Sequence, residues 1–230
     1  GLMEVMVVLG VVAALGFLLL PVAARLRARS QQITCLSHLR QIHAAMVAYA
    51  ADHQGYFPKA HYLDPEGNQH WIGALQEGHY TPRIDERRPR TSIHFCPSSK
   101  KPPNIYGRST PSTANYGANR SILGFLDESK PGGRHDRSTP LNRVRDPGTK
   151  LLLFEYGGTY AFKLNITNFS APNYIPGHPK NVDMEWSDSY RDDAVEGRHG
   201  PTINVIHVDG SAATLLPDDF LNIPAEAWAP

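Results

Sequence analysis

Two cysteines are the side chains of this sequence that could react with each other. Cys35 lies in a segment of helical pattern, and Cys96 follows a segment of strand composition. An even, low cysteine count permits one disulfide bond, which would form only if this part of the chain lies outside the cytoplasm. A Cys35–Cys96 bond would then tie the helix to the sheet by closing a loop of about 60 residues. Two unpaired buried thiols are the alternative interpretation.

Histidine and aspartate side chains near the C-terminal end have the chemistry of metal ligands. His207 and Asp209 would share one face of a strand, and His199 lies close to them in sequence, so the three could surround a metal ion. Asp209 and Gly210 also form a dipeptide typical of a tight hairpin turn, which explains Asp209 without any ligand. We therefore predict no metal at these residues.

An acidic segment between residues 183 and 193 could supply oxygen ligands, which calcium prefers. Its aspartates are Asp183, Asp188, Asp192 and Asp193. A solvated acidic loop accounts for the same residues, and we favour that interpretation, so no cofactor is predicted.

The sequence lacks the motifs that indicate common enzymes. It has no glycine-rich phosphate loop, no His-Glu-x-x-His pair and no Gly-x-Ser-x-Gly elbow. We therefore expect this chain not to be an enzyme. Its 23 Lys+Arg against 22 Asp+Glu give a formal net charge of +1, which does not indicate nucleic acid as a partner.

The N-terminal segment must position these residues, and its first part is apolar all round. Leu2 to Leu20 contains one charged residue, Glu4, and would form about 28 Å of helix, close to the ~30 Å hydrocarbon thickness of a bilayer. A secretory signal peptide would begin with basic residues and carry a shorter apolar stretch. We therefore expect this segment to be retained in the working protein as an anchor.

The helical pattern continues beyond the apolar segment. Pro21 lacks an N–H donor and predicts a kink or local melting. Apolar residues then recur at three- and four-residue spacing, which is typical of an amphipathic helix. They are Ile33, Leu36, Leu39, Ile42, Met46 and Tyr49. Gly55 and Pro58 form a stop signal, so one helix is predicted over roughly residues 2 to 53.

The remainder predicts a small antiparallel β-sheet with long loops, and therefore an α+β fold. Strand composition occurs at Thr91 to Phe95, Lys150 to Tyr156 and Tyr160 to Ile166, with Gly157-Gly158 as a tight turn. A hairpin is predicted from Thr202–Val208 and Ser211–Leu216, joined by Asp209-Gly210 as a two-residue turn. We divide the chain into an apolar half-helix, residues 1–30, and a globular head, residues 31–230, which includes the amphipathic half of the helix.

Glu4 would be costly to bury at the start of an apolar helix unless a cation pairs with it. The run GLMEVMVVLGVVAALGFLLLP resembles the processed N-terminus of type IV pilins and of type II secretion pseudopilins. In that family an N-methylated hydrophobic residue comes first, a glutamate fifth and often a proline twenty-second. Glu4 and Pro21 take those places if Gly1 is the second mature residue. The resemblance implies that Glu4 pairs with the N-terminus of a neighbouring subunit.

A second resemblance extends over the head. The segment CLSHLRQIHAAMVAYAADHQGYFP is similar to a class of bacterial prepilin-type proteins with a Cys-x-x-Asn-Leu-Lys/Arg-Gln-Ile pattern and a Gly-x-Phe-Pro helix end, although His38 stands where Asn is usual. Further matches are Trp71, the Phe95-Cys96-Pro97-Ser98 run and the Tyr116-Gly117-Ala118-Asn119 run. His199, followed by nine residues and Asp209-Gly210, matches the H-x9-D-G signature of that class.

These resemblances imply a structural subunit that polymerises with copies of itself into an extracellular filament. Before assembly it would stand in the inner membrane, where prepilin peptidase and the pilus or secretion assembly machinery would be its partners. A pseudopilin of a type II secretion system, in a periplasmic pseudopilus, is the alternative, and a membrane-tethered binding protein is a less favoured one. Some secretion pseudopilins use calcium in their C-terminal loops, which is the analogy for the acidic segment.

Overall fold

Helix α1 spans Leu2–Asp52 without interruption and would be about 77 Å long at the ordinary helical rise. We describe the fold from a computed structural model, which covers residues 1–64, 67–85, 91–98, 116–127, 135–136, 138–155, 199, 202–216, 219–220 and 223–228. The local melting predicted at Pro21 is wrong, because the helix continues through this residue. A proline removes one backbone hydrogen bond, and the leucines and alanines on both sides are strong helix formers.

The C-terminal end of α1 is set by two residues with positive φ. Gln54 has φ 56° and Gly55 has φ 86°. The N–H of Gly55 donates to the carbonyl of Ala50 at 2.7 Å, which satisfies one of the last helical carbonyls. The predicted stop signal at Gly55 is therefore confirmed.

The two halves of α1 have different surroundings. From Leu2 to Leu20 every described side chain is exposed, whereas Cys35, Leu39, Ile42 and Met46 are fully buried in the head. Leu36 and Tyr49 pack partly against the same core, but Ile33 is exposed and does not belong to the stripe. By length and composition, α1 is able to cross a membrane.

The buried stripe of α1 packs against an antiparallel sheet of four strands. Its order is β3 (Tyr116–Ala118), β6 (Leu151–Glu155), β7 (Ile203–His207) and β8 (Ala212–Leu215). Strand β6 is buried along its whole length, and β7 pairs Ile203 with Leu215 and Ile206 with Ala212. The predicted α+β fold and the predicted β7–β8 hairpin are confirmed.

A second small sheet, which was not predicted, contains β1 (His61–Asp64), β2 (Gly67–His70), β4 (Phe125–Asp127) and β5 (His135–Asp136). Its order is β2-β1-β4-β5, and β1 pairs with β4 in parallel. Short helices complete the fold: α2 (Trp71–Glu77), α3 (Arg120–Leu123), a 3-10 turn at Leu141–Arg143 and α4 (Ala225–Trp228). Trp71 begins α2 and is fully buried in the same core as the buried stripe of α1.

The strand predicted at Thr91 to Phe95 is wrong, because this segment forms turns. The Ser92 hydroxyl accepts from the N–H of His94 at 3.3 Å, and the Ser92 carbonyl accepts from the N–H of Phe95 at 3.1 Å. Such local hydrogen bonds compete with a sheet ladder. Both His94 and Phe95 are buried, so the apolar composition of this segment reflects burial of a turn.

The strand predicted at Tyr160 to Ile166 and the turn predicted at Gly157-Gly158 lie outside the described residues.

Candidate functional site

A disulfide bond joins α1 to the loop that follows the buried turn. Cys35 and Cys96 are bonded, with their Cα atoms 5.1 Å apart and both side chains buried. The predicted pairing is therefore confirmed. Because the bond closes a loop with a sequence separation of 61 residues, it should stabilise the fold by roughly 4 kcal/mol in the chain-entropy description.

A buried carboxylate lies beside this disulfide. Glu155 is the last residue of β6, and only 3% of its surface is exposed. Its Oε2 accepts from the backbone N–H of Asn204 at 2.9 Å, and its Oε1 accepts from the Asn204 side-chain amide at 3.0 Å. The Oε1 atom also lies 2.8 Å from Nε2 of His199. Glu155 thus links the end of β6 to β7 and to His199.

His199 connects the same cluster to the disulfide and to α1. Its Nε2 lies 3.5 Å from Sγ of Cys96, and its Nδ1 lies 3.0 Å from the hydroxyl of Ser98. The Ser98 hydroxyl donates to Oε1 of Gln31 on α1 at 3.3 Å. The side chains of His199 and Glu155 are each 1% exposed. The first half of the H-x9-D-G signature therefore lies in a buried polar network.

Four side chains of this network have the chemistry of metal ligands. The donor atoms of Cys35, Cys96, Glu155 and His199 all lie within 4.8 Å of one another. While the two sulfur atoms are bonded to each other, neither is a thiolate, so the disulfide form holds the cluster together by hydrogen bonds and a covalent bond. We call these four residues the disulfide cluster.

The second half of the signature closes the β7–β8 hairpin. The N–H of Gly210 donates to the His207 carbonyl at 3.0 Å, and the N–H of His207 donates to the Ser211 carbonyl at 2.9 Å. The loop therefore has three residues, and the two-residue turn that we predicted is wrong. Gly210 alone needs a positive φ, which is 87°, and Asp209 does not.

This turn contacts the amphipathic half of α1. Nε2 of His43 donates to the Val208 carbonyl at 3.0 Å. A Cβ at Gly210 would lie 2.9 Å from Cε1 of the same imidazole, so this close approach, like the positive φ, requires glycine. Asp209 Oδ1 accepts from the N–H of Ser211 at 2.8 Å. Hydrogen bonds from the side chain and backbone of Ser211 hold the pKa of Asp209 below its ordinary value.

His199, His207 and Asp209 are not brought together. His199 precedes β7 and belongs to the disulfide cluster, whereas His207 and Asp209 lie at the far end of that strand. Nδ1 of His207 lies 3.1 Å from the Ser211 hydroxyl. Nothing in the described part of the chain therefore supports a metal ion shared by these three residues.

The other predicted site residues lie elsewhere. Glu4 is 85% exposed, and its carboxylate pairs with the amino group of Gly1. Pro21 is exposed on the apolar half of α1. The acidic segment with Asp183, Asp188, Asp192 and Asp193 lies outside the described residues.

Glu155 is a residue of the site that was not predicted from the sequence. An acid directly after the apolar run Leu-Leu-Leu-Phe is a signal that could have indicated it.

A buried histidine is expected to lower the stability of the head in acid. His94 is fully buried, and Nε2 lies 3.2 Å from the Thr81 hydroxyl. Burial, with a smaller effect of His38, lowers the pKa of His94 from 6.5 to about 3. In the unfolded chain the His94 imidazole takes up a proton below about pH 6.5, whereas in the folded chain it does so only near pH 3. Protonation therefore favours the unfolded chain, and the free energy of unfolding decreases as the pH falls below about 6.5. By about pH 4 the expected loss is roughly 3 kcal/mol.

Urea unfolding at neutral pH and near pH 4 measures this loss. His94→Phe, which keeps an aromatic ring beside Trp71, should remove most of the difference between the two values. His53→Gln, at an exposed histidine, is the matched control and should keep it. An unchanged acid loss in His94→Phe would show that other groups cause it.

Comparisons with known proteins give no relative for this chain. No protein-family model matches it, and neither a curated protein nor a solved structure is similar to it at a significant level.

Proposed function

We propose that this chain is a pilin-like structural subunit that polymerises through α1 into an extracellular, type IV pilus-like filament. One observation carries the proposal: the apolar half of α1 extends from the head with its side chains exposed, while the other half is built into the head. Leu2 and Met3 are more than four-fifths exposed, and large apolar side chains of this half remain exposed as far as Leu26. A surface of this size needs lipid or protein around it.

A filament core of packed helices provides that partner after assembly. Before assembly, the apolar half of α1 would stand in the inner membrane, with the head on the outer side. On assembly it would leave lipid and pack against copies of itself, so apolar contact would be kept at both stages. An ordinary anchor would need the lipid contact alone, and it would need neither an acid at position 4 nor a rigid connection to the head.

The connection between α1 and the head supports the same proposal. The disulfide holds Cys35 to the loop at Cys96, His43 donates to the hairpin turn, and Gln31 accepts from Ser98. These contacts fix the buried half of α1 at three positions along its length. A subunit attached in this way would transmit the position of its helix in a filament core to its head.

Electron microscopy of cells that express the chain together with their own assembly machinery tests this function. Antibodies against the head should label filaments on the cell surface, and the filaments should contain this chain as their main component. Filaments seen only on overexpression, and confined to the periplasm, would instead support the pseudopilus. Labelled membranes without any filament would contradict polymerisation and favour a membrane-tethered protein.

A further inference from the structure

We propose that the head, once the Cys35–Cys96 disulfide is reduced, binds one zinc ion through the disulfide cluster. The ligands would be both cysteine sulfurs, Nε2 of His199 and Oε1 of Glu155. This site is independent of the filament function, because its residues lie inside the head of a single chain.

The four ligand atoms lie near enough to one another to surround one zinc ion, since all are within 4.8 Å of each other. Bonds of ~2.3 Å to sulfur and ~2.0–2.1 Å to nitrogen or oxygen put ligand atoms about 3.3 to 3.8 Å apart. Nε2 of His199 already lies 3.5 Å from Sγ of Cys96. It lies 2.8 Å from Oε1 of Glu155, so these two atoms must separate by about 0.5 Å to admit the metal. The two sulfurs separate when their bond is broken.

The ligand types favour zinc over harder cations. Two thiolates and an imidazole suit a borderline-soft metal, whereas calcium and magnesium take oxygen ligands. All four side chains are buried and come from four different segments: α1, the loop at Cys96, β6 and the segment that precedes β7. A metal at their centre would therefore hold the head together where the disulfide otherwise does.

Outer hydrogen bonds already orient two of the ligands. The Ser98 hydroxyl donates to Gln31, so it can accept from an N–H at Nδ1 of His199. With Nδ1 as the donor to Ser98, Nε2 can bind a metal once it has given up the proton that its 2.8 Å contact with the Glu155 carboxylate requires. Asn204 holds both carboxylate oxygens of Glu155, and each oxygen has a second lone pair. Metal ligands in proteins are commonly fixed by such partners.

The disulfide form and the zinc form differ by two electrons, the metal ion and the protons that it displaces. A dithiol reductant supplies two electrons and two protons to the sulfur–sulfur bond, gives two thiols and becomes a disulfide itself. Zinc then displaces the two thiol protons and the proton held between Nε2 of His199 and the Glu155 carboxylate, and all three protons pass to solvent. In the reverse direction, a disulfide oxidant takes two electrons from the thiolates and two protons from solvent and becomes a dithiol. The sulfur–sulfur bond forms again, zinc leaves, and a third proton from solvent restores the hydrogen bond between His199 and Glu155. The chain would thus carry zinc in a reducing compartment and a disulfide in an oxidising one.

Metal titration of the full chain in detergent micelles tests the site. The disulfide is reduced by a phosphine, which becomes a phosphine oxide with oxygen from water, and cobalt(II) is added as a spectroscopic probe before zinc. We expect one cobalt per chain, with thiolate-to-metal charge-transfer absorption that zinc abolishes. The oxidised chain should bind neither metal at this site. His199→Ala should weaken zinc binding at least about 100-fold, and Ser98→Ala about 10-fold.

His207→Ala is the matched control, because this histidine lies at the other end of β7 and outside the cluster. It should leave the zinc affinity unchanged. Equal affinity of the native chain and His199→Ala would overturn the proposal, as would a folded, reduced chain that binds no cobalt. If reduction unfolds the head, zinc should restore its near-ultraviolet circular dichroism, and no recovery would count against the site. Ser98→Ala keeps every ligand and gives a second test if His199→Ala does not fold.

Discussion

Glu155→Ala in the disulfide form should lower the free energy of unfolding by about 3–5 kcal/mol. The substitution removes the acceptor of two Asn204 donors and the partner of His199, and all three groups lie in the interior. A buried donor that loses its acceptor has given up its hydrogen bonds to water and makes none in the protein, which destabilises the folded state. Urea unfolding of the detergent-solubilised chain at neutral pH measures the change.

Two further variants distinguish charge from shape at this position. Glu155→Gln keeps the size of the side chain and one oxygen for Asn204, so it should lose less stability than Glu155→Ala. Asp219→Asn, at an exposed carboxylate, should change the free energy of unfolding by no more than about 0.5 kcal/mol. A similarly small change in Glu155→Ala would mean that the buried network does not hold the end of β6 to β7.

Features governed by local sequence were predicted well. The helix predicted over residues 2 to 53 is observed at Leu2–Asp52, because a long apolar and then amphipathic pattern and a glycine stop are signals within one segment. The hairpin of β7 and β8 was found for the same reason, since Gly210 lies between two runs of strand composition. The turn length was missed because Val208 belongs to the loop rather than to the strand.

Features governed by contacts between distant segments were predicted less well. Thr91 to Phe95 has strand composition, but it bends so that Cys96 reaches Cys35 on α1. Glu155 and His199 are 44 residues apart, and neither shows a local pattern that indicates the other. The signature residues His199 and Asp209 were identified by resemblance, but their contacts with Glu155 and with Ser211 could be found only from the fold.

Glu4→Ala should leave membrane insertion intact and sharply reduce filament assembly. In the single chain the Glu4 carboxylate is exposed and pairs with the amino group of Gly1. In the proposed filament core the carboxylate would be surrounded by apolar helices and would pair with the N-terminus of a neighbour, which neutralises both charges and sets the axial register. A buried charge left without its partner costs about 3–5 kcal/mol, which lowers the association constant of a subunit by at least roughly 100-fold.

Membrane fractionation measures the insertion of Glu4→Ala, and quantitative electron microscopy measures its filament yield. Glu4→Ala should be found in the membrane at native abundance, because removing a charge does not reduce the apolar character of Leu2 to Leu20. Glu226→Ala, at an exposed carboxylate of the head, is the matched control and should assemble like the native chain. Filament yield from Glu4→Ala equal to that of Glu226→Ala, with the native axial rise, would contradict the register role of Glu4. Filaments with an altered axial rise would instead support that role, because they would show that helix packing alone drives assembly and that Glu4 selects its register.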